Sequence, residues 1–381
     1  MSDSSFDVIV VGCGVIGSAT AHAIASSGLS VAVIDRYSPP HNMGSSHGHT
    51  RAIRRAYFEQ PEYVPLLVEA YELWRKLESD TRTELMNLCG VLEVGPPDGE
   101  LISGVRQSAL THELPVDNLT SQDVQKRFPG FRMPTEFDAV VENDGGYLLV
   151  DECLNAFLDT AVRRGASIFT DTTVLDWKSG TGGVEVDTSK GRFSAEALVL
   201  APGPWASQLC KFRPLPELKL REKFMYWYAN KDPNYFASSG FPVFAVEVPD
   251  VLQNRIYYGF PDLGTEGVKV AEHSRGAIID KPEAANTAFD PHQKETEEFL
   301  RTFLPGVTGE IARQENCIYT MSPDENFFID LHPEFDNVVV AMGFSGHGFK
   351  FAPVMGQILA KLLTGKSYSL DIEFLRLGRF G

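Results

Sequence analysis

Three glycines near the start of the chain are spaced as in a loop that binds a dinucleotide. Gly12, Gly14 and Gly17 fit the pattern Gly-x-Gly-x-x-Gly. In this pattern the first glycine allows a tight turn, the second lets the backbone approach a pyrophosphate, and the third lets a helix pack on a strand. Asp35 follows 18 residues after Gly17, close to the spacing of about 20 expected for an acid that binds a ribose hydroxyl. These residues predict a dinucleotide site without separating NAD from FAD.

Two cationic segments far apart in the chain could hold anions. Residues 44–55 place two histidines and three arginines among small residues, after a Pro39-Pro40 turn. Residues 343–350, Gly-Phe-Ser-Gly-His-Gly-Phe-Lys, follow an apolar run and end on a lysine. Arginine binds carboxylates through a planar fork of donors, whereas lysine adds a point charge. The first segment alone is equally consistent with a solvated, positively charged loop.

The elements around the glycine triplet are those that position a dinucleotide. Residues 8–11 are wholly apolar and β-branched, which predicts a buried parallel strand. Apolar residues then recur at helical spacing over 16–24, and Gly28 stands where a helix would end. Residues 31–34 predict a second strand. The order strand, turn, helix, strand is the opening of a Rossmann-like unit.

Signals further along the chain predict that this nucleotide domain is discontinuous. Residues 150–165 predict a helix, and residues 197–200 and 338–340 predict further parallel strands. Residues 218–320 contain aromatic, β-favouring runs broken by Pro and Gly, which favour an antiparallel sheet. We therefore predict an α/β protein in two domains. The nucleotide domain would comprise 1–85, 150–217 and 325–381, and the substrate domain 86–149 and 218–324.

Length, composition and net charge limit the classes of protein and of partner that fit this sequence. The chain has 381 residues, 43% hydrophobic and 22% charged, with a formal net charge of −17, which is ordinary for a soluble two-domain protein. That charge makes nucleic acids and anionic membranes poor partners. No apolar run reaches the length of about 18 residues that a membrane span needs. The five cysteines show no metal-ligand or redox spacing, which predicts no metal site and fits a reducing cytosol.

The residues at the two ends of the sequence match neither of two common targeting signals. Residues 1–5 lack the basic region of a secretory signal. Residues 379–381 do not match a peroxisomal signal of the Ser-Lys-Leu type. We therefore expect a cytoplasmic protein.

Three motifs, in order and spacing, resemble the monomeric sarcosine oxidase family. They are Gly-Ser-Ser-His-Gly-x-Thr-Arg-x-Ile-Arg at 44–54, Cys-x-Tyr-Thr at 317–320, and the glycine-rich segment 343–350. The family includes the peroxisomal sarcosine/pipecolate oxidases and N-methyltryptophan oxidase, and the resemblance covers essentially the whole chain. It implies an FAD-binding Rossmann-like domain, an antiparallel-sheet substrate domain of the amino acid oxidase type, and a monomer.

The resemblance also implies FAD linked through the sulfur of Cys317 to the 8α-methyl group of the flavin. Such a linkage prevents cofactor loss and shifts the flavin's potential. His47 and Arg51 resemble residues close to the flavin ring. Together, motif and resemblance predict the cofactor-binding residues Gly12, Gly14, Val15, Ile16, Gly17, Asp35, Arg36, Gly44, Ser45, Ser46, Thr50, Arg51, Val174, Ala201, Gly203, Cys317, Gly343, Gly346, His347, Gly348, Phe349 and Lys350.

On the substrate side, Arg54 and Lys350 resemble the pair that holds the substrate carboxylate. Lys350 also resembles the family's site of dioxygen activation, where a cation stabilises developing superoxide. The other predicted pocket residues are Tyr258, Lys269, His273 and Tyr319, and the predicted catalytic residues are His47, Arg51, Tyr258, His273 and Lys350. His49 and Glu272 depart from the bacterial sarcosine oxidase pattern, which leaves the amine preference open.

The resemblance implies oxidation of a small secondary amino acid, sarcosine first, by hydride transfer to flavin. The imine would hydrolyse to glycine and formaldehyde, and dioxygen would become hydrogen peroxide. A cyclic imino acid (pipecolate or proline) or a bulkier N-methyl amino acid stays open, because one methylene in an apolar pocket changes preference by only about 1–3 kcal/mol. Lys350 argues against a dehydrogenase with another acceptor. The set of Arg54, Lys350 and His273 argues against a flavoprotein without catalytic activity.

Overall fold

The computed structural model describes residues 5–213, 215–251, 254–285 and 289–380. The expectation about targeting signals concerns residues 1–5 and 379–381, of which residues 1–4 and 381 lie outside these ranges. No helix within them is long and apolar enough to cross a bilayer.

The helices are α1 (Val15–Ser26), α2 (Val64–Thr81), α3 (Glu100–Thr111), α4 (Ser121–Arg127), α5 (Val150–Arg163), α6 (Ala206–Leu209), α7 (Gln293–Phe303) and α8 (Ala352–Leu363). The strands are β1 (Ser5–Val11), β2 (Val31–Ile34), β3 (Thr50–Ile53), β4 (Met86–Asn87), β5 (Val91–Gly95), β6 (Asp117–Leu119), β7 (Asp138–Glu142), β8 (Gly146–Leu149), β9 (Ser167–Phe169), β10 (Val174–Gly180), β11 (Gly183–Thr188), β12 (Gly191–Leu200), β13 (Lys219–Tyr228), β14 (Val243–Val248), β15 (Arg255–Phe260), β16 (Val268–Glu272), β17 (Ile278–Ile279), β18 (Ile311–Met321), β19 (Phe328–His332) and β20 (Phe335–Met342).

The first sheet is the predicted nucleotide-binding sheet. Its strand order is β10-β11-β12-β1-β2-β9, with β20 beside β12 and β19 beside β20. β1 runs parallel to both β12 and β2, and β12 runs parallel to β20. Helices α1 and α8 pack closely, since a Cβ at Gly356 would lie 2.5 Å from the carbonyl oxygen of Ala19. The predicted Rossmann-like α/β fold is confirmed.

The second sheet has the order β17-β13-β16-β15-β14-β5-β7-β6, with β18 beside β13. Its pairs are antiparallel except for β14 and β5, which run parallel. The second sheet is therefore antiparallel, as predicted, apart from this one pair. β5 and β14 are separated by a long stretch of chain, so no hairpin fixes their relative direction.

A small third sheet, β3-β8-β4, contains Arg51 of the first cationic segment. Arg51 on β3 pairs with Leu148 on β8, and Arg54 follows directly after β3. The sheet thereby joins a segment assigned to the nucleotide domain to one assigned to the substrate domain. The exact domain boundaries remain a prediction.

Candidate active site

The glycine loop between β1 and α1 forms one end of a long cleft. Gly12 has a φ of +98°, and a Cβ at Gly17 would lie 1.8 Å from the carbonyl oxygen of Gly12. α1 starts after Gly14 with no side-chain cap and no acidic residue in its first turn. The free amides at such a helix start bind anions, so this end of the cleft fits a pyrophosphate.

The next part of the cleft is shaped by Asp35, just after β2. Its carboxylate accepts hydrogen bonds from the backbone amides of Cys13, at 2.6 Å, and Tyr37, at 2.8 Å. Glu283 binds two residues that line the cleft: Arg36, with Nη1 2.7 Å from Oε1, and Trp205, with Nε1 3.1 Å from Oε1. These contacts fix the carboxylate of Asp35, the guanidinium of Arg36 and the indole of Trp205 where a nucleoside would lie.

Most of the predicted cofactor residues line this cleft. They are Gly12, Gly14, Val15, Ile16, Asp35, Arg36, Gly44, Ser45, Ser46, Arg51, Val174, Ala201, Gly203, Gly343, Gly346, Gly348 and Phe349. Lining residues that the sequence did not reveal include Thr172, Thr173, Trp205 and Gln208. They belong to no motif, and the fold alone brings them to the cleft.

The predicted cofactor residues outside the lining are Gly17, Thr50, Cys317, His347 and Lys350. Gly17 serves helix packing instead, and the Thr50 carbonyl accepts a hydrogen bond from Lys269 at 2.9 Å. His347 is held by the hydroxyl of Tyr57, 2.5 Å from Nδ1, and lines a second cavity together with Lys350. The assignment of these residues to the cofactor stays a prediction. Cys317 lies just behind the cleft wall.

Cys317, on β18, is almost fully buried next to cationic groups. Its sulfur lies 3.8 Å from Nη2 of Arg51, which lines the cleft. Burial alone would raise the pKa of Cys317, but His47, Arg51 and Lys269 outweigh it and hold that pKa below its ordinary value. A thiol in such surroundings favours the nucleophilic thiolate.

The second cavity meets the cleft at a shared wall. Arg51, Tyr319, Gly346 and Phe349 line both spaces. The structure also brings predicted substrate residues to this cavity, namely Arg54, Tyr258, His273, Tyr319 and Lys350. A small molecule in the second cavity would therefore lie against whatever occupies the near end of the cleft.

Arg54 is buried and already paired with two carboxyl groups that the sequence did not reveal. Its Nη2 lies 3.1 and 2.9 Å from the two carboxylate oxygens of Glu59, and its Nε lies 3.3 Å from Glu93. Nη1 is buried without a hydrogen-bond partner among the described residues. Burial raises the pKa of Glu93 to about 8, whereas for Glu59 the charge of Arg54 outweighs burial and lowers the pKa to about 2.

Lys350 faces the same cavity from the start of the last helical region. Its Nζ donates to the carbonyl oxygen of His347 at 2.9 Å and lies 5.0 Å from the ring centre of Tyr57. Burial, together with the positive charge of Arg54, lowers the pKa of Lys350 to about 7. Near neutral pH this lysine is therefore poised between its charged and neutral forms.

The cavity also has an aromatic wall, formed by Tyr258, His273 and Tyr319. The hydroxyls of Tyr258 and Tyr319 are 3.4 Å apart, and the rings of His273 and Tyr319 are 5.5 Å apart. Burial and the charge of Lys223 lower the pKa of His273 to about 3. His273 is thus neutral at physiological pH, so it could accept or donate a hydrogen bond without adding charge.

Lys269, predicted as a substrate-pocket residue, does not line the second cavity. Its Nζ donates to the carbonyl oxygens of Gly48, at 2.6 Å, and Thr50, at 2.9 Å. The ring centre of Phe260 lies 4.7 Å away. Lys269 is directed to these acceptors near Cys317 rather than to the cavity.

His49 and Glu272, the two residues that depart from the bacterial sarcosine oxidase pattern, have partners outside the second cavity. Glu272 accepts from Nε of Arg275 at 2.7 Å and does not line the cavity. His49 adopts a positive φ of 61°, and its Nε2 lies 2.6 Å from Nη1 of Arg313. Neither residue lines the second cavity.

Fold and cleft together define a dinucleotide-binding oxidoreductase with a cationic side cavity. The sequence profile of the family described as FAD dependent oxidoreductase matches residues 7–362. The chain is 38% identical to monomeric sarcosine oxidase from Arthrobacter sp. (strain TE1826) over 380 residues, 98% of this chain and 96% of that protein. It is also 38% identical to N-methyl-L-tryptophan oxidase from Yersinia pestis (strain Pestoides F) over 378 residues, 98% of this chain and 99% of that protein.

A solved structure leads to the same group of proteins. The open form of NikD, an unusual amino acid oxidase essential for nikkomycin biosynthesis, matches with a TM-score of 0.86 at 28% identity, over 98% of this chain and 97% of that chain. The chain belongs to the monomeric sarcosine oxidase family of FAD-dependent oxidoreductases, as its motifs predicted. It is an amino acid oxidase of the sarcosine oxidase and N-methyl amino acid oxidase type.

Proposed function

We propose that this protein oxidises a small secondary amino acid, sarcosine first, with FAD bonded to Cys317, and releases hydrogen peroxide. The observation that carries the proposal is the shared wall between cleft and cavity. Arg54 and Lys350 line the cavity, with Cζ and Nζ 4.6 and 5.0 Å from the ring centre of Tyr57, and Tyr319 lines both the cavity and the cleft. A carboxylate held by the two cations would place the neighbouring amine against the flavin end of the cleft. We also propose that the enzyme acts as a cytoplasmic monomer.

Binding of the substrate carboxylate requires a change at Arg54. Glu59 now occupies the Nη2 donor of Arg54, while Nη1 has no hydrogen-bond partner in the part of the chain that the structure describes. An incoming carboxylate would accept a hydrogen bond from Nη1 and displace Glu59 from part of the guanidinium group. Lys350 would add its positive charge. Such charge-assisted pairs are the strong hydrogen bonds of protein sites.

The amine end would meet the aromatic wall. Neutral His273 and the hydroxyl of Tyr258 would orient the amine, so that a C–H bond beside the nitrogen faces the cleft. Fixed orientation of this kind contributes about 7–11 kcal/mol to lowering a barrier. The chemistry that FAD supplies when bound is acceptance of a hydride equivalent from that carbon and transfer of two electrons to dioxygen. Hydrolysis of the resulting imine gives glycine and formaldehyde from sarcosine.

A bulkier N-methyl amino acid is the second candidate substrate. The relative named N-methyl-L-tryptophan oxidase is as similar as the relative named sarcosine oxidase. The cavity also has an apolar side formed by Phe58, Phe244 and Ile256, against which a large side chain could pack.

A peroxide assay with a matched set of amino acids tests the proposal. Sarcosine, N-methyl-L-tryptophan, pipecolate and proline are compared with glycine, which lacks the N-substituent. We expect peroxide and anaerobic bleaching of the flavin with sarcosine or another secondary amino acid. A protein that stays yellow with all of them would refute the proposal.

The covalent link is tested separately by acid precipitation. We expect flavin to remain with the precipitate of the wild type and to be released from Cys317→Ala. Cys210→Ala is the matched control, since Cys210 is also buried and its pKa is raised by burial to about 12. Release of all flavin from the wild type would exclude a covalent bond.

A further inference from the structure

The two cations proposed to hold the substrate carboxylate both lie over the ring of one buried tyrosine, Tyr57. Cζ of Arg54 is 4.6 Å from the centre of that ring, and Nζ of Lys350 is 5.0 Å from it. Tyr57 is 0% exposed and does not line the second cavity, whereas Arg54 and Lys350 do. Any effect of Tyr57 on a substrate therefore passes through these two cations.

The hydroxyl and the backbone of Tyr57 are both fixed by hydrogen bonds. The hydroxyl oxygen lies 2.5 Å from Nδ1 of His347, and Nε2 of His347 lies 3.0 Å from the carbonyl oxygen of Glu325. Burial lowers the pKa of His347 to about 4, so the imidazole is neutral at physiological pH. Because a carbonyl oxygen only accepts, Nε2 carries the proton and Nδ1 accepts from the Tyr57 hydroxyl. Oγ of Ser108 on α3 donates to the carbonyl oxygen of Tyr57 at 2.5 Å.

His347 also fixes one of the two cations. Its carbonyl oxygen accepts a hydrogen bond from Nζ of Lys350 at 2.9 Å. The carbonyl oxygen of Lys350 in turn accepts from Nε1 of Trp74 at 2.9 Å. His347 therefore positions the ring of Tyr57 through its side chain and the ammonium of Lys350 through its backbone.

We propose that Tyr57 is a positioning residue that holds Arg54 and Lys350 together as a clamp for the carboxylate of the substrate. The inference rests on the proposed function, in which these two cations bind that carboxylate. It deepens that function by assigning the shape of the clamp to a side chain outside the cavity.

A ring is suited to this role because of its charge distribution. Two buried cations that line one small cavity repel each other, and the repulsion favours loss of the proton from Lys350. The face of an aromatic ring is negative and attracts a cation, most strongly where water is excluded. A ring in contact with both cations opposes their repulsion. Unlike the carboxylate of Glu59, it does not occupy a hydrogen-bond donor of Arg54.

Acetate binding to the holoenzyme tests the ring separately from its hydroxyl. Binding is measured from flavin absorbance in the wild type, Tyr57→Phe and Tyr57→Leu, and thermal unfolding shows whether each variant is folded. Tyr57→Phe keeps the ring, so we expect its acetate affinity to fall by at most about threefold. Tyr57→Leu loses both ring contacts and should bind acetate about tenfold or more weakly. With an amino acid substrate, Tyr57→Leu should raise KM and leave kcat nearly unchanged.

The pH profile separates this role from a general loss of packing. The ring stabilises the charged form of Lys350, so its removal should lower the pKa of Lys350 further below its value of about 7. Acetate affinity should therefore begin to fall at a lower pH in Tyr57→Leu than in the wild type or in Tyr57→Phe. The other charged groups that act on Lys350 are Arg51, Arg54 and Glu59, and all three are retained in these variants.

Tyr235→Leu is the matched control. Tyr235 is also buried, its hydroxyl donates to the carbonyl oxygen of Gly130 at 2.6 Å, and it lines neither the cleft nor the second cavity. Its removal costs a buried ring and a hydrogen bond without touching the clamp. Tyr235→Leu should therefore match the wild type in acetate affinity and in pH profile.

Wild-type acetate affinity in Tyr57→Leu, or an unchanged pH profile, would overturn the proposal. If Tyr57→Leu does not fold, a ring-fluorinated phenylalanine at position 57 keeps the shape of the ring but makes its face less negative. Acetate should then bind more weakly than in Tyr57→Phe, and equal binding would overturn the proposal. A wild type that oxidises no amino acid, yet binds acetate more tightly than Tyr57→Leu does, would refute the proposed function and support the clamp.

Discussion

Nη2 of Arg54 donates to both carboxylate oxygens of Glu59, at 3.1 and 2.9 Å, inside the cavity assigned to the substrate. The chain thus presents its own carboxylate to the guanidinium proposed to hold the substrate. Glu59 competes with any anion that enters, and its pKa of about 2 keeps it ionised throughout the physiological range.

Removal of this internal competitor should strengthen anion binding. We expect Glu59→Gln to lower the dissociation constant of acetate about tenfold, because a hydrogen bond to a charged group is worth about 1.5–3 kcal/mol. Acetate binding is measured from the change in flavin absorbance. Glu62→Gln changes an exposed glutamate of the same segment and should have no effect. Weaker acetate binding in Glu59→Gln would contradict the competition.

Two of the buried lysines, Lys350 and Lys269, should affect different half-reactions. Lys350 faces the substrate cavity beside Arg54 and Glu59, whereas Lys269 lies near Cys317 with neutral carbonyl partners. The sequence assigned dioxygen to Lys350, but these contacts favour Lys269. Burial lowers the pKa of Lys269, and a superoxide anion forming beside it would raise that pKa again.

We therefore expect Lys269→Met to slow reoxidation of reduced flavin by about 100-fold or more. Lys350→Met should chiefly raise KM for the amino acid. Stopped-flow mixing of reduced enzyme with oxygenated buffer measures the first effect, and anaerobic reduction measures the second. Lys294→Met, at an exposed lysine, serves as the control. Slow reoxidation in Lys350→Met alone would restore the assignment made from the sequence.

The affinity for carboxylates should fall as the pH rises above about 7. Lys350 has a pKa lowered to about 7 and attracts anions only below it, while Glu93, with a pKa raised to about 8, competes for Arg54 once ionised. The dissociation constant of acetate should thus rise by up to about tenfold per pH unit from pH 7. In Lys350→Met the rise should begin only near pH 8. Identical pH curves for both proteins would exclude this role of Lys350.

Gly17 should tolerate no side chain. A Cβ there would lie 1.8 Å from the carbonyl oxygen of Gly12, so α1 would have to move away from β1. We expect Gly17→Ala to lower the free energy of unfolding by about 3 kcal/mol and to weaken FAD binding, as measured by thermal unfolding with and without FAD. Gly182→Ala, where a Cβ meets no atom within 4 Å, should leave both unchanged.

Local patterns were enough to predict the elements that hold the dinucleotide. The apolar run at 8–11 and the helical spacing after Gly14 depend on neighbours in sequence, and they lie in β1 and α1 as expected. The cationic segments were also visible, because Arg54 and Lys350 belong to recognisable motifs.

The partners of these cations were not predictable from the sequence. Glu93 reaches Arg54 only because β5 joins the second sheet beside β14 and β7, a pairing that no local pattern specifies. Lys269 and His273 lie on one short segment, yet only His273 lines the cavity. Which residue faces which space is decided by the packing of distant strands, and no local pattern in the sequence specifies that packing.

The bridge from Glu283 to Arg36 and Trp205 ties together segments that lie far apart along the chain. Arg36 follows β2, Trp205 follows β12, and Glu283 comes from the region after β17. A nucleotide bound beside these residues would contact a bridge that forms only once all three segments have folded. Ligands of this kind stabilise the native state by mass action. Flavin supply should therefore govern how long newly made chains survive proteolysis, independently of any turnover.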